Sequence, residues 1–254
     1  MSLSIQFGNF LYKNAFPIYN ILYPIFKRKQ DVKELRLISS VVKSGNNVLD
    51  IGANIGFYTS EFSRLTGAKG TVFAFEPEPL NFKYLQQNCR HLKNVKLINK
   101  AVSDTTGTLK IYLSKMLNVD HRTYQIDDYS AIKEIDAITI DDYLRANKNP
   151  NIDFIKMDIQ GFEMAALKGM LTTLRRNVEI KIISELWPYG LQKAGSSANE
   201  MIHFLNSEGF NVYLLTSSPP SLLTAETIQH LKVDENVYYN VFLSRKNESI
   251  NAFR

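Results

Sequence analysis

Short apolar runs recur along the chain, several closed by a glycine, proline or acidic residue and most separated by stretches of helical periodicity. The runs near 46–51, 71–76, 95–102, 107–113, 152–158, 179–186, 210–216 and 237–245 predict strands, with helices between most of them. Such alternation specifies an α/β domain on a largely parallel sheet. Within 162–174, Phe162, Ala166, Leu167, Met170, Leu171 and Leu174 share one helical face, and Arg175-Arg176 close it where positive charge is favourable. The N-terminus has a different character. Aromatic and aliphatic residues from Phe7 to Phe26 lead into Lys27-Arg28-Lys29, but Pro17 and Pro24 interrupt the run and it carries Lys13. It is too broken to span a membrane and lacks a secretory cleavage signature. Residues 1–40 are therefore expected to form an aromatic-rich helical extension and 41–254 one α/β domain. The extension either packs over that domain or rests on an anionic membrane surface.

The chemistry begins at Val48-Leu49-Asp50-Ile51-Gly52-Ala53-Asn54-Ile55-Gly56, where an apolar strand enters a G-x-N-x-G loop and then a helix. Gly52 and Gly56 permit a sharp turn and close approach to a ligand, and the helix start presents free N–H groups. Gly52→Val is expected to exclude a ligand by steric contact, at little cost in secondary structure if φ there is negative. Asp50 discriminates between ligands: a pyrophosphate favours a third glycine and no carboxylate, whereas a sulfonium cofactor carries cationic groups that a carboxylate meets. No G-x-G-x-x-G is present. The next run, Thr71 to Phe75, ends in Glu76, roughly twenty residues past the loop, the separation at which a carboxylate reaches a ribose. The third ends at Ser103-Asp104, which either brackets an adenine ring or turns the chain before Gly107.

These segments resemble S-adenosylmethionine-dependent methyltransferases of the FkbM type. The resemblance rests on V-L-D-I-G-A-N-I-G at 48–56, V-F-A-F-E-P-E-P at 72–79, A-V-S-D-T-T-G at 101–107, I-T-I-D-D-Y-L at 138–144 and above all D-F-I-K-M-D-I-Q-G-F-E at 153–163, and runs from residue 46 to about 216. It implies a Rossmann-like methyltransferase fold: a mostly parallel seven-stranded sheet with helices on both faces, in which the last two runs form an antiparallel edge hairpin. It also implies S-adenosyl-L-methionine as cofactor and a hydroxyl on a sugar, glycan or natural product as acceptor. Asp50, Gly52, Asn54, Gly56, Glu76, Ser103, Asp104 and Asp158 are the cofactor candidates.

Asp50, Glu76, Asp158 and Glu185 each close a predicted strand at the edge where open α/β sheets bind ligands. Such crowding needs cations, supplied by a sulfonium, by Lys156 or by a metal. Asp158, Glu185, Asp141 and Asp142 offer hard oxygen ligands, but no spacing identifies a metal site and none is assigned. Asp141 and Asp142 are read as caps of a short helix beginning at Tyr143. Asp158, Glu185 and His121 are the candidate bases; His121 and Arg122, a candidate anion contact, lie in a long insertion at 114–134. Asp158 is followed by Ile159-Gln160-Gly161 rather than by a D-P-P-Y type of run, which disfavours methylation of exocyclic base amines. Glu163 is read either as a helix cap or as a ligand contact, and Trp187 as an aromatic surface for substrate or as a core lid.

A net charge of +5 and a pI near 9.1 accompany scattered basic residues without a nucleic-acid motif, so no nucleic-acid partner is expected. The one cysteine, Cys89, excludes an internal disulfide, fits a reducing, cytoplasmic setting and is read as a packed thiol. Two other classes share parts of the pattern: a nicotinamide-dependent oxidoreductase, which Asp50 and the missing third glycine oppose, and a catalytically inactive binding module. The sequence carries no signature of oligomeric state.

Overall fold

The computed structural model describes residues 3–114, 129–215 and 220–245. Three helices, α1 (Leu3–Asn14), α2 (Phe16–Gln30) and α3 (Val32–Val41), precede β1 (Asn47–Ile51), α4 (Phe57–Thr66), β2 (Thr71–Phe75), α5 (Pro79–Cys89) and β3 (Val95–Ile98). β4 (Ala101–Val102), β5 (Gly107–Ser114) and β6 (Tyr129–Ile138) build a small second sheet ahead of α6 (Ile140–Ala146). The described chain continues through β7 (Phe154–Met157), α7 (Glu163–Lys168), α8 (Leu171–Arg176), β8 (Lys181–Leu186), α9 (Pro188–Lys193), α10 (Ala198–Ser207), β9 (Asn211–Leu214), β10 (Ser221–Leu222), α11 (Ala225–Ile228) and β11 (Tyr239–Ser244).

The main sheet has the order β10-β9-β11-β8-β7-β1-β2-β3. Strands β8, β7, β1, β2 and β3 run parallel, and β11 lies antiparallel between β8 and β9. This is the expected Rossmann-like architecture with its antiparallel edge pair. The strand count differs, because Ser221-Leu222 pairs with Leu214 and Tyr213 and makes eight strands among the described residues rather than seven. β1 sits between β2 and β7, so the chain reverses its direction of sheet growth there, and a crevice opens at the carboxyl ends of those strands.

Helices cover both faces of the central strands, which are therefore apolar nearly throughout. Leu49, Ile51, Phe73, Phe75, Ile155, Met157 and Ile182 fill one core, while Val48, Val72, Phe154 and Ile183 join α3 and α4 in the other. Strand side chains alternate between faces. Asp50, Glu76, Lys156, Asp158 and Glu185 stand at even offsets from Val48, Val72, Phe154 and Ile183, so the alternation directs all five toward the α3–α4 side.

Three local departures from the sequence reading have physical causes. Tyr129–Ile138 is a strand paired antiparallel with β5, so both ends of the segment read as an insertion, Ser114 and residues 129–134, are sheet, and its middle lies outside the described residues. The helix expected over 162–174 divides into α7 and α8 at Gly169-Met170: Met170 leaves helical geometry at φ −124° and ψ 18°, and the Gly169 carbonyl accepts from the Asp141 amide at 3.1 Å. Pro24 does not interrupt α2, which runs continuously from Phe16 to Gln30, with Pro17 in its first turn.

The acids at 141 and 142 also act otherwise than expected. Thr139 caps α6 by accepting from the Asp142 amide at 3.0 Å, and the helix starts at Ile140. Asp141 instead reaches the start of α8, accepting from the amides of Thr172 at 2.9 Å and Thr173 at 2.8 Å and from the Thr173 hydroxyl. Asp141→Ala should therefore lower unfolding free energy by about 0.5–2 kcal/mol in urea denaturation. Asp142→Ala, whose carboxylate is solvent-exposed, should cost less; the reverse order would contradict this assignment of the cap.

Candidate functional site

The loop after β1 owes its shape to positive φ angles: +82° at Gly52, +51° at Asn54 and +95° at Gly56. A Cβ on Gly52 would lie 2.0 Å from the Asp158 carbonyl oxygen, and one on Gly56 would lie 2.8 Å from Cys89 Sγ and Leu85 Cδ1. Both glycines are required by protein contacts; because φ at Gly52 is positive, the condition for a low-cost Gly52→Val is not met, and a side chain there would disturb the β1 and β7 loops themselves. Glu76 locks the loop. One of its carboxylate oxygens accepts from the Asn54 amide at 2.8 Å, the other from the Glu78 amide at 2.9 Å. Burial raises the Glu76 carboxyl to about 7 despite those bonds.

Asp50 is buried at the end of β1. Its Oδ2 accepts from the Thr59 hydroxyl at 2.6 Å, while Oδ1 has no partner among the described residues. Burial raises its carboxyl to about 6, opposed by Lys156 and by the Thr59 hydrogen bond. Parallel pairing sets Asp50 opposite Lys156 on β7. Lys156 is buried too, with its ammonium 4.3 Å from the centre of the Tyr58 ring and 3.4 Å from Asp158 Oδ2. Burial disfavours its charge, yet Asp158, Glu34 and Asp50 outweigh that and hold it protonated.

Asp158 and Glu185 face a shared neighbour. The Gln160 amide donates to Asp158 Oδ1 at 3.0 Å and to Glu185 Oε2 at 3.2 Å, from a backbone held at φ +56°. The two carboxyls diverge in acidity. Burial works against Asp158, but Lys156, Lys27 and Gln160 bring it below the usual carboxylate range. Burial together with the charges of Asp158 and Glu163 pushes Glu185 well above it.

The N-terminal helices close this region from the α3–α4 side. Lys27 of α2 pairs with Asp31 at 2.7 Å, and Asp31 accepts from the Tyr58 hydroxyl at 2.6 Å. The charges of Asp158, Asp31 and Lys156 all act on Tyr23. Glu34 of α3 accepts from Asn240, whose register partner on β8 is Glu185. Above the glycine loop, Leu11, Tyr12, Tyr19 and Ile55 form a separate core, and the Tyr12 hydroxyl donates to Asn81 at 2.6 Å.

Other sequence candidates fall in different surroundings. Ser103 is buried, its hydroxyl donating to the exposed Asp104 at 3.1 Å. Glu163 is fully buried, with Oε1 accepting from the Ile159 amide at 3.1 Å and Oε2 unpartnered among the described residues; burial raises it to about 7. Trp187 is buried, and its ring occupies the space where a Cβ on Gly190 would stand. Cys89 is a packed thiol, raised to about 11 chiefly by burial. His121 and Arg122 lie outside the described residues. No three His, Cys, Asp or Glu side chains converge as metal ligands among the described residues.

Sequence reasoning passed over Gln160, Tyr58, Tyr23, Lys27, Asp31 and Glu34. Gln160 was visible within the motif at 153–163, whereas the residues of α2 and α3 carry no local signal, because only the fold brings them to the strand ends.

A family model described as the methyltransferase FkbM domain matches residues 50–212. The chain is 26% identical over 148 residues to the hexuronic acid methyltransferase AglP of Haloferax volcanii, a match covering 58% of each chain. It is 26% identical over 159 residues to the 2-O-methyltransferase NoeI of Sinorhizobium fredii, covering 56% of this chain and 64% of that one. The matched region thus spans about three-fifths of these relatives. The crystal structure of methyltransferase FkbM from Methylobacillus flagellatus superposes with a TM-score of 0.49 at 18% identity, covering 79% of this chain and 44% of that one.

The raised carboxyls give the site a pH signature. Asp50, Glu76 and Glu163 keep protons in the folded chain at pH values where the unfolded chain has released them. The folded state therefore binds more protons between about pH 4 and pH 7, and its stability falls as pH rises through that window. The melting midpoint of the ligand-free chain should be higher near pH 5 than near pH 7.5, and Glu76→Gln should flatten the slope. A midpoint that climbs with pH over this range would contradict the burial assigned to these groups.

Proposed function

The chain belongs to the methyltransferase FkbM domain family, and on that premise we propose that it is an S-adenosylmethionine-dependent methyltransferase acting on a hydroxyl of a sugar, glycan or natural product. The observation that carries this reading is the buried Asp50, whose Oδ1 lacks a partner beside the glycine loop and within one strand of Glu76. A buried carboxylate oxygen left unpaired is costly, and a cationic ligand group relieves it. S-adenosylmethionine, when bound, supplies an activated methyl group and carries both a sulfonium and an ammonium. The residues present fit it. Asp50 meets a cation, and Glu76 keeps lone pairs for ribose hydroxyls beyond those used by Asn54 and Glu78. The turn at Gly52, Asn54 and Gly56 shapes the wall, and Ser103 with Asp104 borders the base. The two curated relatives are named for methylating a hexuronic acid and a 2-hydroxyl, which favours a sugar acceptor.

Methyl transfer needs alignment, exclusion of water and removal of the acceptor proton. In this reading Glu185 takes the proton: it stands near the end of β8 beside Asp158, shares the Gln160 amide with it, and burial together with neighbouring charges makes its carboxylate the more basic of the two. Gln160 fixes its distance from Asp158, and Lys156 keeps Asp158 ionised. Glu163, buried behind them, adds to the field that raises Glu185. Trp187 shapes the wall beyond β8. His121, the other candidate base, and Arg122, a holder of anionic acceptor groups, belong to the segment outside the described residues. The setting in this reading is the cytoplasm.

Asp50→Asn keeps the Thr59 hydrogen bond but removes the charge. It should weaken S-adenosylhomocysteine or S-adenosylmethionine binding roughly 10- to 150-fold by calorimetry, the scale of losing hydrogen bonds to a charged group. Unchanged affinity in a folded variant would sink the donor site. Glu185→Gln should lower transfer of labelled methyl to a sugar acceptor by about 100- to 10,000-fold with donor affinity nearly intact. Should His121→Ala show that loss while Glu185→Gln does not, the proton goes to the histidine.

A further inference from the structure

α2 has two opposed faces with different partners. Tyr19, Tyr23 and Lys27, spaced four residues apart, turn inward: Tyr19 stacks with Tyr23 and meets Tyr12, Tyr23 meets Phe57, and Lys27 pairs with Asp31. On the other side, Ile18, Ile21, Leu22 and Ile25 recur at the spacing of one helical stripe and remain 52%, 67%, 45% and 53% exposed. Phe26 extends the stripe, and α1 adds exposed Phe7 and Phe10. Isolated apolar residues on a surface need no explanation, but a contiguous patch of this kind marks a contact.

Charge selects what covers it. Residues 1–41 contain two acids, Asp31 and Glu34, and both are engaged on the inner side, with Tyr58 and Lys27 and with Asn240. Lys13, Lys29, Lys33 and Arg36 are exposed, so the outer surface of the three helices carries cations and no carboxylate. A two-fold contact with a second copy would bring these cations against one another. An anionic lipid surface satisfies both features at once, taking the apolar stripe below its headgroups and the lysines at their level. No described helix is long and apolar enough to cross a membrane, so the contact lies in the interface.

We infer that the outer face of α1 and α2 docks on an anionic membrane surface. Since α2 also supplies Tyr23 and Lys27 to the crevice, docking holds the site within about one helix diameter, roughly 10 Å, of the headgroups.

The test uses the full chain and does not depend on methyl transfer. Flotation with phosphatidylcholine vesicles containing phosphatidylglycerol should carry the protein upward. Vesicles of phosphatidylcholine alone should bind it at least about tenfold more weakly, and added salt should weaken binding to the anionic ones. Ile21→Glu with Ile25→Glu should abolish flotation while leaving the melting midpoint and S-adenosylhomocysteine affinity unchanged. If that variant is unfolded, Lys29→Glu with Lys33→Glu tests the same surface through exposed charges alone and should reduce binding at least about tenfold. Failure of the parent chain to float, or equal flotation of the folded variants, overturns the proposal. So does a dimer that these substitutions convert to monomer in a chain that ignores vesicles. Retained donor binding throughout would separate any such failure from failure of the methyltransferase reading.

Discussion

One buried lysine organises the crevice. Lys156 stands at the end of a central strand with Asp50 in register beside it, Asp158 at hydrogen-bonding distance and Tyr58 beneath its ammonium. It cannot neutralise every carboxyl that converges there. The outcome is a division of protonation: Asp158 is held ionised, while Asp50, Glu163 and Glu185 are pushed upward by burial and by the charge of Asp158. A site left in that condition presents the unpaired Asp50 Oδ1 beside the glycine loop and sets two carboxyls of different acidity, Asp158 and Glu185, on the same Gln160 amide. The same lysine attracts Glu34 of α3, while Lys27 of α2, a like charge, is held by Asp31, which accepts from Tyr58.

The backbone around this cluster is built for close approach. Gly52 packs on the Asp158 carbonyl, Gly161 on Gly190 and Gly169 on Ser103, so the loops after β1, β7, β8 and β4 are interlocked at distances no side chain permits. These glycines serve the architecture of the crevice first. Whatever they do for a ligand follows from holding Asp50, Glu76 and Gln160 in place.

Much of this was legible in the chain. The apolar runs announced the parallel strands because those strands are buried on both faces, and the acids that close them marked the ligand-binding edge. The small sheet was only half visible: β6 reads Tyr-Ser-Ala-Ile-Lys-Glu-Ile-Asp-Ala-Ile, with charges interleaved on an exposed face that weaken its apolar signal. The division of α7 from α8 falls where the Gly169 carbonyl accepts from the distant Asp141 amide, a contact that no local pattern encodes. The part played by α2 and α3 was hidden for the same reason. Lys27 and Asp31 read as ordinary helix charges until the fold sets them against Tyr58 and Asp158.

The measurement that bears most directly on this account is a crystal structure of the chain with S-adenosylhomocysteine. The account predicts the ligand between the Gly52–Gly56 turn and Glu76, with a nitrogen of its amino acid portion within hydrogen-bonding distance of Asp50 Oδ1. It further predicts the sulfur directed toward the space bounded by Glu185, Gln160 and Tyr23. A ligand bound elsewhere, or one that leaves Asp50 Oδ1 unpaired with its sulfur directed away from Glu185, would contradict it.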